Sequence, residues 1–253
     1  MENNFNHCRP TQLQAVVCYI IAVVGTRLFG LTNWTLPLKY ACLVVPLFLF
    51  RRSTPNMVHS MRNSLPSAKN AVLSIGIGLA SGMAMAYFLG GKTELTTAAW
   101  VGKFVTAGVL AAVCEELLFR GFLLPAFERT GTGYAVVWSA VLFVTLHTAK
   151  SGLPEELVMG IVLALVTLYT DSVVCSMLCH GAYNCTLLAK AAMGTEKRLV
   201  FGIIFAGIAL LLTGMTVKTG GIRRHAAERE LVGRFEMCIF LCGMVLYLVT
   251  VVI

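Results

Sequence analysis

Between residues 97 and 127 the sequence is almost continuously apolar, yet it carries Glu115, Glu116 and Arg120 near its middle. An ionised side chain in hydrocarbon costs at least ~2.5–3.5 kcal/mol on insertion scales, so such groups survive there only when partnered or used. On a helix, Glu116 and Arg120 stand one turn apart on one face, in the acid-before-base order that pairs best. Glu115 points about a quarter-turn away. The pattern predicts one carboxylate held ionised by arginine and a second left available as a proton acceptor.

The rest of the chain is built to house such a helix. Of its 253 residues, 57% are hydrophobic and 13% charged, and the mean hydropathy is +0.79. A soluble domain carries about 25% charged residues. The reading is all-α, a polytopic transmembrane bundle of eight or nine helices forming one integral-membrane domain over 1–253, with its catalytic core at approximately 98–193. The net charge of +8 does not indicate nucleic acid, because the basic residues sit in short loops beside apolar runs. Eight of the nine cysteines fall inside apolar stretches, which predicts buried thiols rather than a disulfide framework.

Spans are expected at 13–31, 35–50, 71–90, 97–127, 134–148, 157–170, 172–193, 199–217 and 235–253. The first lacks a cleavage pattern and is read as retained. The second holds Pro37 and Pro46, which favour a bend. The third is uncharged, with Gly78 and Gly82 at the spacing that lets helix backbones approach. The 157–170 run is short for a crossing, and Lys150 to Glu156 reads as a polar turn. Residues 51–70 hold four basic residues and no acid, as expected of a basic surface loop. With nine spans, this loop, Arg9, Arg129 and the basic stretch 218–234 fall on one side, which makes the amino terminus cytoplasmic. The stretch around His225 is suited to anionic lipid headgroups.

Two further polar pairs recur at helical spacing: Phe143 with His147, and His180 with Asn184. Taken singly, each has a bland reading. His147 suits a packed histidine bonded to a carbonyl, His180 and Asn184 suit interhelical glue, and Phe143 suits the core. Their conjunction with the glutamate pair, in a chain with few other ionisable groups in its spans, favours one polar site inside a bundle.

At these residues the sequence resembles the CAAX protease and bacteriocin-processing family, also called the Abi or type II CAAX protease family. The resemblance covers 113–188 and rests on three short motifs in order: Glu115, Glu116 and Arg120; Phe143 and His147; His180 and Asn184. It implies an intramembrane endopeptidase, and no cofactor is expected unless the zinc reading below holds. Glu115 would activate water, helped by His147; His180 and Asn184 would donate to the tetrahedral oxyanion; Glu116 and Arg120 would hold the geometry. The prenylated carboxy-terminal motif of a protein, a leader peptide and a membrane protein's own helix are all admissible substrates. The compact form resembles the prokaryotic members, which implies a plasma membrane location.

Peptide hydrolysis calls independently for a base, oxyanion donors and a pocket with restricted water. Other readings use the same residues. Glu115, His147 and His180 could ligate Zn²⁺ with Glu116 as base, although the helical His-Glu-x-x-His signature is absent. Cys175 and Cys179 beside His180, and Cys238 with Cys242, also have ligand chemistry. A proton-coupled transporter would use the buried acids and histidines as a relay, and a non-catalytic membrane scaffold would keep the fold without the reaction.

Overall fold

Apolar runs become helices here because a helix satisfies its own backbone hydrogen bonds without water. The computed structural model describes residues 10–30, 35–51, 62, 64–89, 101–147, 153–189 and 198–219. Among them the helices are α1 (Gln12–Gly30), α2 (Thr35–Arg51), α3 (Ala68–Leu89), α4 (101–127), α5 (Thr132–Leu146), α6 (Leu153–Thr170), α7 (Val173–Ala189) and α8 (Arg198–Thr219). The all-α class follows directly. The expected span at 235–253 lies outside the described residues, as does the basic stretch 218–234 from residue 220 onward, its first two residues ending α8.

Two described helices are long and apolar enough to cross a membrane by length and composition, at Ala68–Phe88 and Val200–Lys218. Shorter apolar helical stretches occupy Gln12–Leu28, Leu38–Phe48, Thr132–Leu146 and Val173–Ala189. Hydroxyls within these helices are satisfied locally: Ser74 donates to Asn70 O, Thr186 to Ala182 O, Thr213 to Ala209 O and Thr216 to Leu212 O. This i to i−4 bonding lets serine and threonine enter an apolar helix without an orphaned group.

The chain divides into two compact units, with the division falling after Glu116 in α4 and after Ala164 in α6. The first contains α1, α2, the later part of α4, α5 and the start of α6. In it, α1, α2 and α5 each pack on the Leu117–Leu123 segment of α4. Tyr19 on α1 donates its hydroxyl to Leu142 O on α5 at 3.1 Å and meets the Phe119 ring edge-on at 6.2 Å. Gly160 on α6 sits so close to α5 that an added Cβ would lie 3.0 Å from Ala140 Cα.

Arg62 departs from expectation. Rather than lying on a basic surface, it is buried and donates from Nη2 to Glu128 Oε1 at 2.8 Å. A buried arginine requires such a carboxylate, and Glu128, just beyond α4, supplies it.

In the second unit, α3 packs against both α7 and α8. Gly78 and Gly82 mark the α3–α7 contact, as their spacing implies: an added Cβ at Gly78 would fall 2.1 Å from Cys179 O, and one at Gly82 would fall 2.7 Å from Thr186 Cβ. Tyr87 on α3 stacks on Phe201 and Phe205 of α8, at 5.4 and 6.0 Å between centroids. The outer side of α8 exposes Val200, Ile203, Ile204, Leu210 and Leu211, a composition suited to lipid.

Two boundaries differ from the sequence reading. The sixth helix begins at Leu153 rather than near 157, which makes it 18 residues long. Pro154 is compatible with a first turn, where its missing N–H is not needed, and Glu155 and Glu156 favour the positive helix end. The fifth ends at Leu146, with His147 already extended at φ −85 and ψ 137.

Candidate active site

The motif helix α4 is not uniformly α-helical. Ala111–Glu116 is an ordinary α-helical segment between two π-helical ones, Phe104–Leu110 and Leu117–Leu123. In a π turn the hydrogen bond closes at i to i+5, as from Ala111 N–H to Thr106 O, and such turns frequently occur at functional sites. A regular 3.6-residue period cannot reveal them.

In the second unit, α7 packs across the first π segment and Ala111–Glu116. Glycines permit the approach: an added Cβ at Gly108 would lie 3.1 Å from Cys185 Sγ, and one at Gly181 would lie 3.7 Å from Gly108 O. At this crossing His180 donates from Nδ1 to Glu116 Oε1 at 2.9 Å. Its Nε2 lies 4.0 Å from Glu115 Oε2. One imidazole is thus addressed by both carboxylates, one at each ring nitrogen. Glu116 is fully buried, while His180 and Glu115 are 3% and 7% exposed, so these interactions act with little screening by solvent.

Asn184, one turn beyond His180, donates from Nδ2 to Ala107 O at 2.9 Å, using a carbonyl of the π segment. The amide is therefore oriented, and its second N–H extends the donor inventory of this face. Cys114 is buried, as are Cys175 and Cys179 on α7.

Arg120, Phe143 and His147 belong to the first unit. Arg120 is fully buried. Its Nη2 donates to Gly160 O at 2.9 Å, while its guanidinium carbon sits 4.7 Å from the Phe143 ring centroid and 5.6 Å from that of Phe119. Phe119 and Phe143 pack edge to face at 5.2 Å. Phe143 is thus core, and also the aromatic face on which a buried cation rests.

His147 is not inside its helix but caps it, donating from Nδ1 to Phe143 O at 2.9 Å. The rings of Phe143 and His147 remain adjacent, 4.8 Å apart. His147 Nε2 lies 3.9 Å from Glu156 Oε2.

The expected partners Glu116 and Arg120 belong to different units, and within its own unit Glu116 is bound by His180. Sequence reading missed Gly160, which supplies a carbonyl to Arg120, and Ala107, which supplies one to Asn184, because backbone acceptors leave no residue-type signature. It also missed Glu156, which it assigned to a turn. Among the described residues, no three His, Cys, Asp or Glu side chains converge as a metal site.

All six candidate residues fall inside one recognisable segment. Residues 97–186 match the family model described as Rce1-like, type II CAAX prenyl endopeptidase Rce1-like. Over this segment, about a third of the chain, the sequence is similar to the CAAX protease family. That similarity points to an endopeptidase core in a membrane setting. No curated protein and no solved structure matches the chain.

Proposed function

We propose that the chain is an intramembrane endopeptidase of the CAAX protease type, acting on a membrane-associated substrate that is prenylated or carries a leader segment. The observation that carries this reading is the pair of acids on α4 addressing the two nitrogens of His180, within the segment that matches the family. The rest of the reading is a single membrane domain of eight or nine spans, with its core near 98–193, its amino terminus in the cytoplasm and its home in a prokaryotic plasma membrane.

In this mechanism Glu115 takes a proton from water, oriented with the help of His147, as the water oxygen bonds to the scissile carbonyl carbon. The carbonyl π electrons move onto oxygen, and His180 and Asn184 donate hydrogen bonds to that oxyanion. For His180 to donate from Nε2 while Nδ1 is held by Glu116, the His180–Glu116 pair must carry one proton more than neutral imidazole and carboxylate together. When the tetrahedral adduct collapses, the C–N bond breaks and Glu115 returns its proton to the departing amine. Water is consumed, and a carboxylic acid and an amine are released. Glu116 and Arg120 hold the geometry. No cofactor enters, and no step passes through a metal.

Detergent-purified wild type and Glu115→Gln are to be compared on fluorogenic peptides, both prenylated and leader-type, with and without a strong chelator. We expect cleavage by the wild type that persists with chelator and falls by about 10²-fold or more in the variant, the scale of a lost general base. Equal cleavage by Glu115→Gln would remove the assigned base. Loss with chelator and recovery with Zn²⁺ would replace the water mechanism by a metal one.

A further inference from the structure

We infer that Glu156, a carboxylate from outside the three motifs, is a positioning residue for His147. This rests on the endopeptidase reading. Two ends of neighbouring helices meet here. His147 caps the C-terminus of α5, and Glu156 stands in the first turn of α6. Both lie in the first unit, with side chains 29% and 27% exposed, neither sealed in the core nor open to bulk solvent.

The ring is fixed from three sides. Nδ1 donates to Phe143 O, one of the last-turn carbonyls that the helix itself leaves without a partner. The Phe143 ring, 4.8 Å away, limits rotation about the side chain. On the third side, Nε2 faces Glu156 Oε2 at 3.9 Å.

With its Nδ1 proton committed, a neutral imidazole presents a lone pair at Nε2, and a carboxylate is also an acceptor. Two acceptors at this distance attract only through a proton on Nε2 or through a water donating to both. In either case the carboxylate acts on the second ring nitrogen of His147, the residue that helps to orient water in the proposed mechanism. The helix ends add to this. The negative end of α5 and the Glu156 carboxylate place negative potential on the ring, while the positive end of α6 steadies the carboxylate. Glu155, in the same helical turn, forms no ion pair with His147 among the described residues, and it serves as the control.

The test has two arms, on full-length protein in detergent. In the first, ring ¹⁵N resonances of labelled histidine are recorded for wild type, Glu156→Gln and Glu155→Gln, the His147 signals being assigned by their loss in His147→Gln. Glu156→Gln should move the His147 resonances and leave those of His180 in place, while Glu155→Gln moves neither. An unmoved His147 overturns the proposal whatever the kinetics show.

In the second arm, kcat and KM are measured on the peptides above. Glu156→Gln should lower kcat about tenfold with KM changed less than twofold, Glu155→Gln should match the wild type, and Glu156→Gln should add nothing further in a His147→Gln background. Multiplicative losses in the double variant overturn the positioning role. Absence of any Glu115-dependent cleavage instead overturns the endopeptidase reading, and the ¹⁵N arm then shows separately whether the pair exists.

Discussion

Arg120 illustrates how much a residue's role depends on what surrounds it. Its side chain is among the largest that are fully buried, and within the first unit its guanidinium meets a Gly160 carbonyl and two aromatic faces. Lysine would keep the charge but lose the planar group that stacks and donates in a fixed direction. Arg120→Lys should therefore destabilise the protein by about 2–3 kcal/mol, on the scale of a lost hydrogen bond to a charged group, seen as a lower thermal midpoint in detergent. Glu116→Ala removes the acceptor of a histidine only 3% exposed. A cost of about 1–3 kcal/mol is expected from the buried donor left behind, together with loss of cleavage. Should Glu116→Ala cleave normally, the oxyanion donor would not depend on this carboxylate. The acidic pair and both histidines were recognisable in the sequence because charge in an apolar helix is conspicuous. Which nitrogen faces which acid was not, since that depends on where α7 crosses α4.

Among the elements, the contact between α3 and α7 is set by small residues. An added methyl at Gly78 would collide with a backbone oxygen, which cannot rotate away. Gly78→Ala should therefore force the helices apart, at a cost at or above the ~1–3 kcal/mol typical of overpacking. Gly207→Ala on α8 meets nothing within 4 Å and should change stability by no more than about 1 kcal/mol, in the favourable direction of helix propensity. Thermal unfolding of the two variants side by side checks this; equal midpoints would mean that α3 and α7 do not meet at Gly78. The glycine spacing was legible because close helix approach demands small residues at i and i+4. The π segments of α4 and the early start of α6 were not: the first changes hydrogen bonding without changing residue types, and the second places a proline and two acids where a turn and a helix start look alike.

For the whole molecule, the lipid-suited face of α8 and the family match lead to the same expectation: the expressed chain should sediment with membranes, resist carbonate extraction and require detergent for release. Release by carbonate alone would contradict the membrane reading. A reporter active only in the cytoplasm, fused ahead of Met1, should be active; silence there with activity from an exported reporter would reverse the topology. The all-α class, the order and approximate places of the helices within the described residues, and the identities of the polar groups were determined by the sequence alone. Hydrophobic runs and the cost of buried charge are local properties, and they need no knowledge of neighbours. Tertiary structure alone decided that Glu116 binds His180, that Arg62 is buried against Glu128, that His147 caps α5 rather than lying within it, and that Glu156 comes to its side. Each joins groups from separate parts of the chain or depends on where a helix ends, and packing sets those relations where periodicity carries no record of them.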